Sequence, residues 1–149
     1  MRYKFILFLA LSITAFNLCS YGQELRRVKG PNGNWGCIDE TGKTITPFMF
    51  HDMGEVSEGI ARVRITNTWG FIDKTGVIIP ARYFSAGDFS EGLARVKNVF
   101  GEWGFIDKTG KEVIPFIYDE ARYFCKDGKA KVKLDGEVFY IDTKGNRVE

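Results

Sequence analysis

The stretch WGFIDKTG, Trp69–Gly76, returns unchanged at Trp103–Gly110 and in altered form as WGCIDETG from Trp35 and VFYIDTKG from Val138. The four starts are 34, 34 and 35 residues apart. Two more landmarks keep step with it. A proline follows at Pro47, Pro80 and Pro115, and an acid–glycine pair at Glu58-Gly59, Glu91-Gly92 and Asp127-Gly128 precedes Ile60-Ala-Arg-Val, Leu93-Ala-Arg-Val and Lys129-Ala-Lys-Val. Self-similarity of this length marks a repeat architecture in which each unit completes its core against its neighbours.

Glycine, proline and β-branched residues recur too densely in the unit for long helices, so it reads as strands. In Asp73-Lys74-Thr75-Gly76 and Asp107-Lys108-Thr109-Gly110 an Asp at the first turn position accepts a backbone hydrogen bond and the Gly supplies a left-handed conformation at the fourth. That is a tight hairpin, with arms at Trp69–Asp73 and Val77–Ile79. A third strand runs through Ile60–Ile65, where Ala61, Val63 and Ile65 alternate with Ile60, Arg62 and Arg64. One face is apolar and the other basic, the pattern of a half-buried antiparallel strand. The chain opens with a fragment of this strand, Arg27-Val28-Lys29, which gives about eleven strands at three per unit. Trp to Pro spans 12, 11 and 12 residues and Gly to the next Trp position 10, 11 and 10. An insertion inside a strand would turn its apolar face to water, so these slips are expected in loops, above all in those after each proline.

The Trp-Gly-Phe-Ile-Asp-Lys-Thr-Gly core, its proline and the Ser-Glu-Gly-Leu-Ala-Arg-Val strand together resemble the WG repeat family of bacterial β-repeat proteins, over essentially all of residues 24–149. The resemblance implies an interaction module and no particular activity. Val138-Phe139 departs from Trp-Gly, as a terminal capping unit with one neighbour does.

The N-terminus reads as a cleavable export signal over residues 1–22. Arg2 and Lys4 precede an apolar run from Phe5 to Phe16 that is too short to span a bilayer, and small residues follow at Ser20 and Gly22. The mature WG-repeat domain is expected over 23–149, periplasmic or secreted. Lipidation at Cys19 is disfavoured, because Phe16, Asn17 and Leu18 are larger than the residues that normally precede a lipid-bearing cysteine. Removing the signal leaves 19 basic and 19 acidic side chains, a balance that gives little long-range attraction for nucleic acid. No transmembrane segment is expected in the mature chain.

The candidate sites divide into repeated and unrepeated residues. Trp35, Trp69 and Trp103 offer an aromatic platform for sugar rings, but Phe71 and Phe105 two residues on favour a role as core anchors. Asp39, Asp73, Asp107 and Asp142 supply one acid per turn, too few oxygens for calcium, and are assigned with Gly42, Gly76, Gly110 and Gly145 to the turns. Cys37 and Cys125 lack the partners of a metal site; no metal or cofactor is expected. In an open array they sit roughly 30 Å apart at about 4.8 Å per strand, so a disulfide between them would require the array to curl round. The basic ladder is the repeated candidate for ligand binding. Arg27, Arg62, Arg95 and Lys131 hold one register and Lys29, Arg64, Lys97 and Lys133 another two residues on, and all eight should leave the same side of the sheet. The plainer alternative is a solvated face whose charges keep strand edges apart. His51 beside Asp52 is the unrepeated acid–base pair on which a hydrolase-type site in the post-proline loops would rest.

The sequence therefore specifies an all-β domain of tandem three-stranded meanders, arranged as a curved open array or a nearly closed barrel. The expected role is an exported, non-catalytic binding or scaffold module of the cell envelope that meets a protein or an anionic glycan. The hydrolase is the alternative.

Overall fold

The computed structural model describes residues 25–149. The expected export signal, the start at Gln23 and Cys19 lie outside the described residues. Among those described, every regular element is a β-strand. Strands β1 (Arg26–Lys29), β2 (Trp35–Ile38) and β3 (Thr44–Phe50) make the first unit, and β4 (Asp52–Met53), β5 (Ala61–Ile65), β6 (Thr68–Asp73) and β7 (Gly76–Tyr83) the second. The third holds β8 (Ser85–Ala86), β9 (Ala94–Lys97), β10 (Trp103–Ile106) and β11 (Glu112–Tyr118), and the fourth β12 (Glu120–Ala121), β13 (Lys129–Leu134), β14 (Glu137–Asp142) and β15 (Arg147–Val148). Each unit is its own antiparallel sheet with strands in chain order. The two-residue strands β4, β8, β12 and β15 raise the count from about eleven to fifteen; two residues carry no readable periodicity.

The turns set the register. Asp39 N–H donates to Lys43 O and Asp107 N–H to Lys111 O, both at 2.9 Å, with Gly42 and Gly110 left-handed at φ 86° and 83°. In the second unit Asp73 pairs directly with Gly76, so its turn is one residue shorter and accounts for the Trp–Pro spacing of 11. The acid–glycine landmark is a type I′ turn in two units, with Glu58 and Glu91 at φ 52° and 53° followed by Gly59 and Gly92 at 79° and 78°.

The post-proline segments are strand and not loop. Trp69 pairs with Tyr83 but Phe71 with Ile79, so Pro80, Ala81 and Arg82 form a bulge opposite Gly70. Pro47 and Pro115 begin the same bulge opposite Gly36 and Gly104. A proline is compatible with a strand here because β3, β7 and β11 are edge strands and a bulge needs one ladder donor fewer. The bulge also dictates the glycine of the Trp-Gly pair. A Cβ on Gly70 would lie 2.5 Å from Ile79 O and 2.7 Å from Ala81 N.

Cross-strand pairing places Arg62 with Phe71 and Arg64 with Trp69 on one face of the second sheet, and Ala61 with Ile72 and Val63 with Gly70 on the other. Both faces are buried: Phe71 and Ile72 are each fully enclosed. The three cores explain this, because each joins the Trp/Phe face of one unit to the Ala/Val face of the next. Cys37, Phe50 and Met53 pack on Ala61, Val63 and Ile72; Phe71, Tyr83 and Phe89 on Ala94, Val96 and Ile106; Phe105, Tyr118 and Phe124 on Ala130, Val132 and Ile141. The strand is therefore not half-buried, as its alternation suggests; its arginine stems cover apolar surface and only their heads reach the periphery.

The result is an open array of separate sheets packed face to face, not a barrel. No strand of one sheet pairs with a strand of another among the described residues, and Cys37 and Cys125 are both free. Cys37 is instead a small buried group whose Sγ lies 3.7 Å from Met53 Sδ, and burial pushes its thiol pKa up to about 11. In the last unit β15 is too short to bulge across β14, so Phe139 takes the glycine position and packs against Tyr118 at 6.4 Å between ring centroids.

Candidate functional site

All eight residues of the basic ladder project from the Trp/Phe face, since their cross-strand partners are Cys37, Trp35, Phe71, Trp69, Phe105, Trp103, Tyr140 and Val138. The structure gives the two registers different surroundings. In the inner register Arg27 Nη1 donates to Met53 O at 2.9 Å, Arg62 Nη1 to Ala86 O at 2.6 Å and Arg95 Nη1 to Ala121 O at 2.6 Å. Each acceptor lies on the first short strand of the following unit. Each guanidinium also sits 5.1 Å from the ring of Trp35, Trp69 or Trp103, close enough for cation–π attraction. Arg, tryptophan ring and carbonyl thus form one clasp per junction.

Other repeated residues serve the same clasp. Gly54 and Gly87 leave room for the arginine stems, because a Cβ on Gly54 would fall 2.6 Å from Arg62 Nε and one on Gly87 2.8 Å from Arg95 Cγ. Glu55 pairs with Arg27, and Asp88 Oδ1 lies 3.0 Å from Arg62 Nε. Tyr123 stands at the corresponding place in the third junction, so Arg95 has no acid of its own there. Burial, with repulsion from Arg122 and Arg62, lowers the Arg95 pKa, and Asp88 only partly offsets this. Ser57 Oγ donates to Phe89 O at 2.7 Å and Ser90 Oγ to Phe124 O at 2.6 Å across the same junctions. Gly36, Gly70 and Gly104 of the Trp-Gly motif and Ser90 of the Ser-Glu-Gly motif are legible in the sequence as landmarks but not by these roles. For Gly54 with Gly87 and Ser57 with Ser90 the one available signal is a single recurrence 33 residues on. Lys131 is exposed.

The outer register lies at the edge of the stack. Lys29, Arg64 and Lys97 are each 5.7 Å from the rings of Trp35, Trp69 and Trp103. Arg64 is 3.6 Å from Asp52 and Lys133 is 3.4 Å from Glu120, whereas the residue paired with Lys97 is Ser85. The three tryptophans are half-buried, packed against a core on one side and flanked by two cations. The turn aspartates have a different office. Asp39, Asp73 and Asp107 Oδ1 accept the hydroxyl and backbone N–H of Thr41, Thr75 and Thr109, and Asp142 accepts N–H groups from Lys144 and Asn146. The hydroxyls hold the carboxyls of Asp39 and Asp107 below the ordinary range, and the Asn146 side chain does so for Asp142.

His51 and Asp52 face different partners. His51 Nδ1 accepts the Thr66 N–H at 3.1 Å, while Asp52 accepts the Met53 N–H at 2.8 Å and faces Arg64. A cavity of about 280 Å³ at the junction of the second and third units is lined by Arg82, Tyr83, Asn98, Val99, Glu112 and Phe116 among others. It holds neither His51 nor either cysteine. Among the described residues no helix is long and apolar enough to cross a membrane.

The family model described as a WG containing repeat matches residues 35–69, 69–98 and 103–137. No curated protein matches the chain.

Proposed function

The chain belongs to the WG-containing repeat family, and on that premise we propose that it is an exported, non-catalytic binding module of the cell envelope that recognises an anionic glycan through its repeated edge. The observation that carries this reading is the division of the ladder. The inner register is committed to holding units together, whereas Lys29, Arg64, Lys97 and Lys133 recur at one edge with no such task. A repeated cation beside a repeated aromatic ring suits an extended ligand, while catalysis needs unlike groups converging once. The different partners of His51 and Asp52 weigh against the hydrolase alternative. Export rests on the basic and apolar pattern of residues 1–22.

Capture of the purified protein on immobilised acidic polysaccharide tests the reading, with and without Lys29, Arg64, Lys97 and Lys133 changed to Gln. Retention that is lost in high salt and in the fourfold variant supports it. Equal retention of variant and parent, or retention only by an envelope protein, removes it.

A further inference from the structure

Lys29, Arg64 and Lys97 stand at one distance, 5.7 Å, from the tryptophan of their own unit. They are three copies of one geometry on three sheets packed face to face. Packed sheets lie about 10 Å apart, so one fixed cation recurs at about that interval along the edge. The row stops at the fourth unit, where Val138 occupies the tryptophan position and Glu120 lies 3.4 Å from Lys133.

We propose that these pairs are three consecutive subsites for a single extended acidic polysaccharide that carries its anionic group on alternate sugars. The inference rests on the proposed function and narrows it. A β-linked disaccharide extends over about the spacing of two packed sheets, so one carboxylate or sulfate per disaccharide meets each cation. An acid on every sugar leaves half the charges opposite no cation. Other polyanions fit less well: a nucleic-acid strand carries a charge about every 3.4 Å. Acids on one face of an extended peptide recur about every 7 Å.

The subsites are unequal. Arg64 divides its charge with Asp52 at 3.6 Å. Lys97 pairs across the sheet with Ser85, so its charge is the less compensated. Phe84, whose N–H donates to Lys97 O at 2.8 Å, is 60% exposed, and Val99 and Phe100 on the adjoining hairpin are 67% and 83% exposed. The corresponding residues of the second and fourth hairpins are polar: Thr66-Asn67 and Asp135-Gly136. The third subsite therefore joins a cation free of the Asp52-type partner to exposed apolar surface, and lies at the apolar end of the row.

Calorimetric titration of the purified protein with glucuronate–N-acetylhexosamine oligomers of one to five disaccharides tests this, beside oligogalacturonates of equal length, which bear an acid on every sugar. Affinity is expected to rise about 100-fold or more from one disaccharide to three and by less than about threefold beyond. The alternating oligomers should win at equal length. Lys97→Gln should abolish the step gained with the third disaccharide, its fold verified by an unchanged tryptophan emission spectrum. Equal binding of the two oligomer types, a rise that continues past three, or an unaffected Lys97→Gln variant overturns the spacing while leaving acidic-glycan binding intact. No binding to any acidic glycan overturns both.

Discussion

Replacing Gly70 by Ala should be among the most damaging single-methyl changes in the molecule. The new Cβ would lie 2.5 Å from Ile79 O, 2.7 Å from Ala81 N and 2.9 Å from Ala81 Cα, all of them backbone atoms. Ordinary contact begins at 3.4 Å, so the bulge must retreat by nearly 1 Å. It cannot do so freely, because Ile79 and Tyr83 at its two ends are 1% and 6% exposed and belong to the second core. Overpacking of this kind costs about 1–3 kcal/mol, and the rigid neighbours place Gly70 at the upper end. Gly33→Ala is the control. Gly33 is left-handed at φ 81° with nothing within 4 Å of a Cβ, so it loses only about 1–2 kcal/mol to backbone strain. Gly104→Ala should fall between them, since its nearest atoms are at 2.9–3.0 Å and one is a Phe116 ring carbon. Urea denaturation followed by far-UV circular dichroism and tryptophan emission, with m-values compared, measures all three. A Gly70→Ala loss no larger than that of Gly33→Ala refutes the crowding argument.

The first junction offers a second test, because Cys37, Met53 and Val56 stand where the others have Phe71, Ala86 and Phe89 or Phe105, Ala121 and Phe124, whose aromatic pairs lie 5.1 and 4.9 Å apart. Cys37→Phe alone should cost about 1–3 kcal/mol by overpacking. Adding Met53→Ala and Val56→Phe should recover most of it through coupling of neighbouring sites, measured by denaturation midpoints. Acid should weaken the turns. The carboxyls of Asp39, Asp107 and Asp142 are lowered from 3.8 by hydrogen bonds to Thr41, Thr109 and Asn146. Their contribution is fully present above that value and is lost as pH falls through the lower folded-state pKa values. The urea midpoint should therefore drop below about pH 4, and Asp107→Asn should reduce that dependence.

The fold was legible because its landmarks recur. Asp73, Gly76 and Gly59 each carry a local turn preference, and the 34-residue copies place those preferences in register. Less legible was what covers the basic face. The alternation of Arg62 and Arg64 with Ala61 and Val63 gives a side for each residue, but it does not say that another sheet lies on that side. Phe71 held the clue: a large apolar residue directly across from Arg62 implies a covered face. The proline segments misled because proline commonly ends strands, and only pairing on both flanks shows that β7 continues through Pro80. The clasp was hidden for the same reason. Arg62 and Ala86 are 24 residues apart, and no local pattern reports a side chain that caps a carbonyl of the next unit.

The central claim is that two arginines one pleat apart, alike in the sequence, have different tasks, and the stability of Arg62→Gln against Arg64→Gln tests it most directly. Loss of Arg62 strips Ala86 O of its donor, Trp69 of its stacked guanidinium and Asp88 of its partner, a cost of about 2–3 kcal/mol. Arg64 is nearly as buried, its side chain 34% exposed against 29% for Arg62. Its contacts stay within its own unit, however, with Asp52 at 3.6 Å and Thr66 O at 3.3 Å, and its loss should cost about 1 kcal/mol or less. A clear gap between the two urea midpoints, with Arg62→Gln the weaker protein, is the predicted result. Equal losses, or a greater loss for Arg64→Gln, would contradict the division of the ladder into clasp and binding edge.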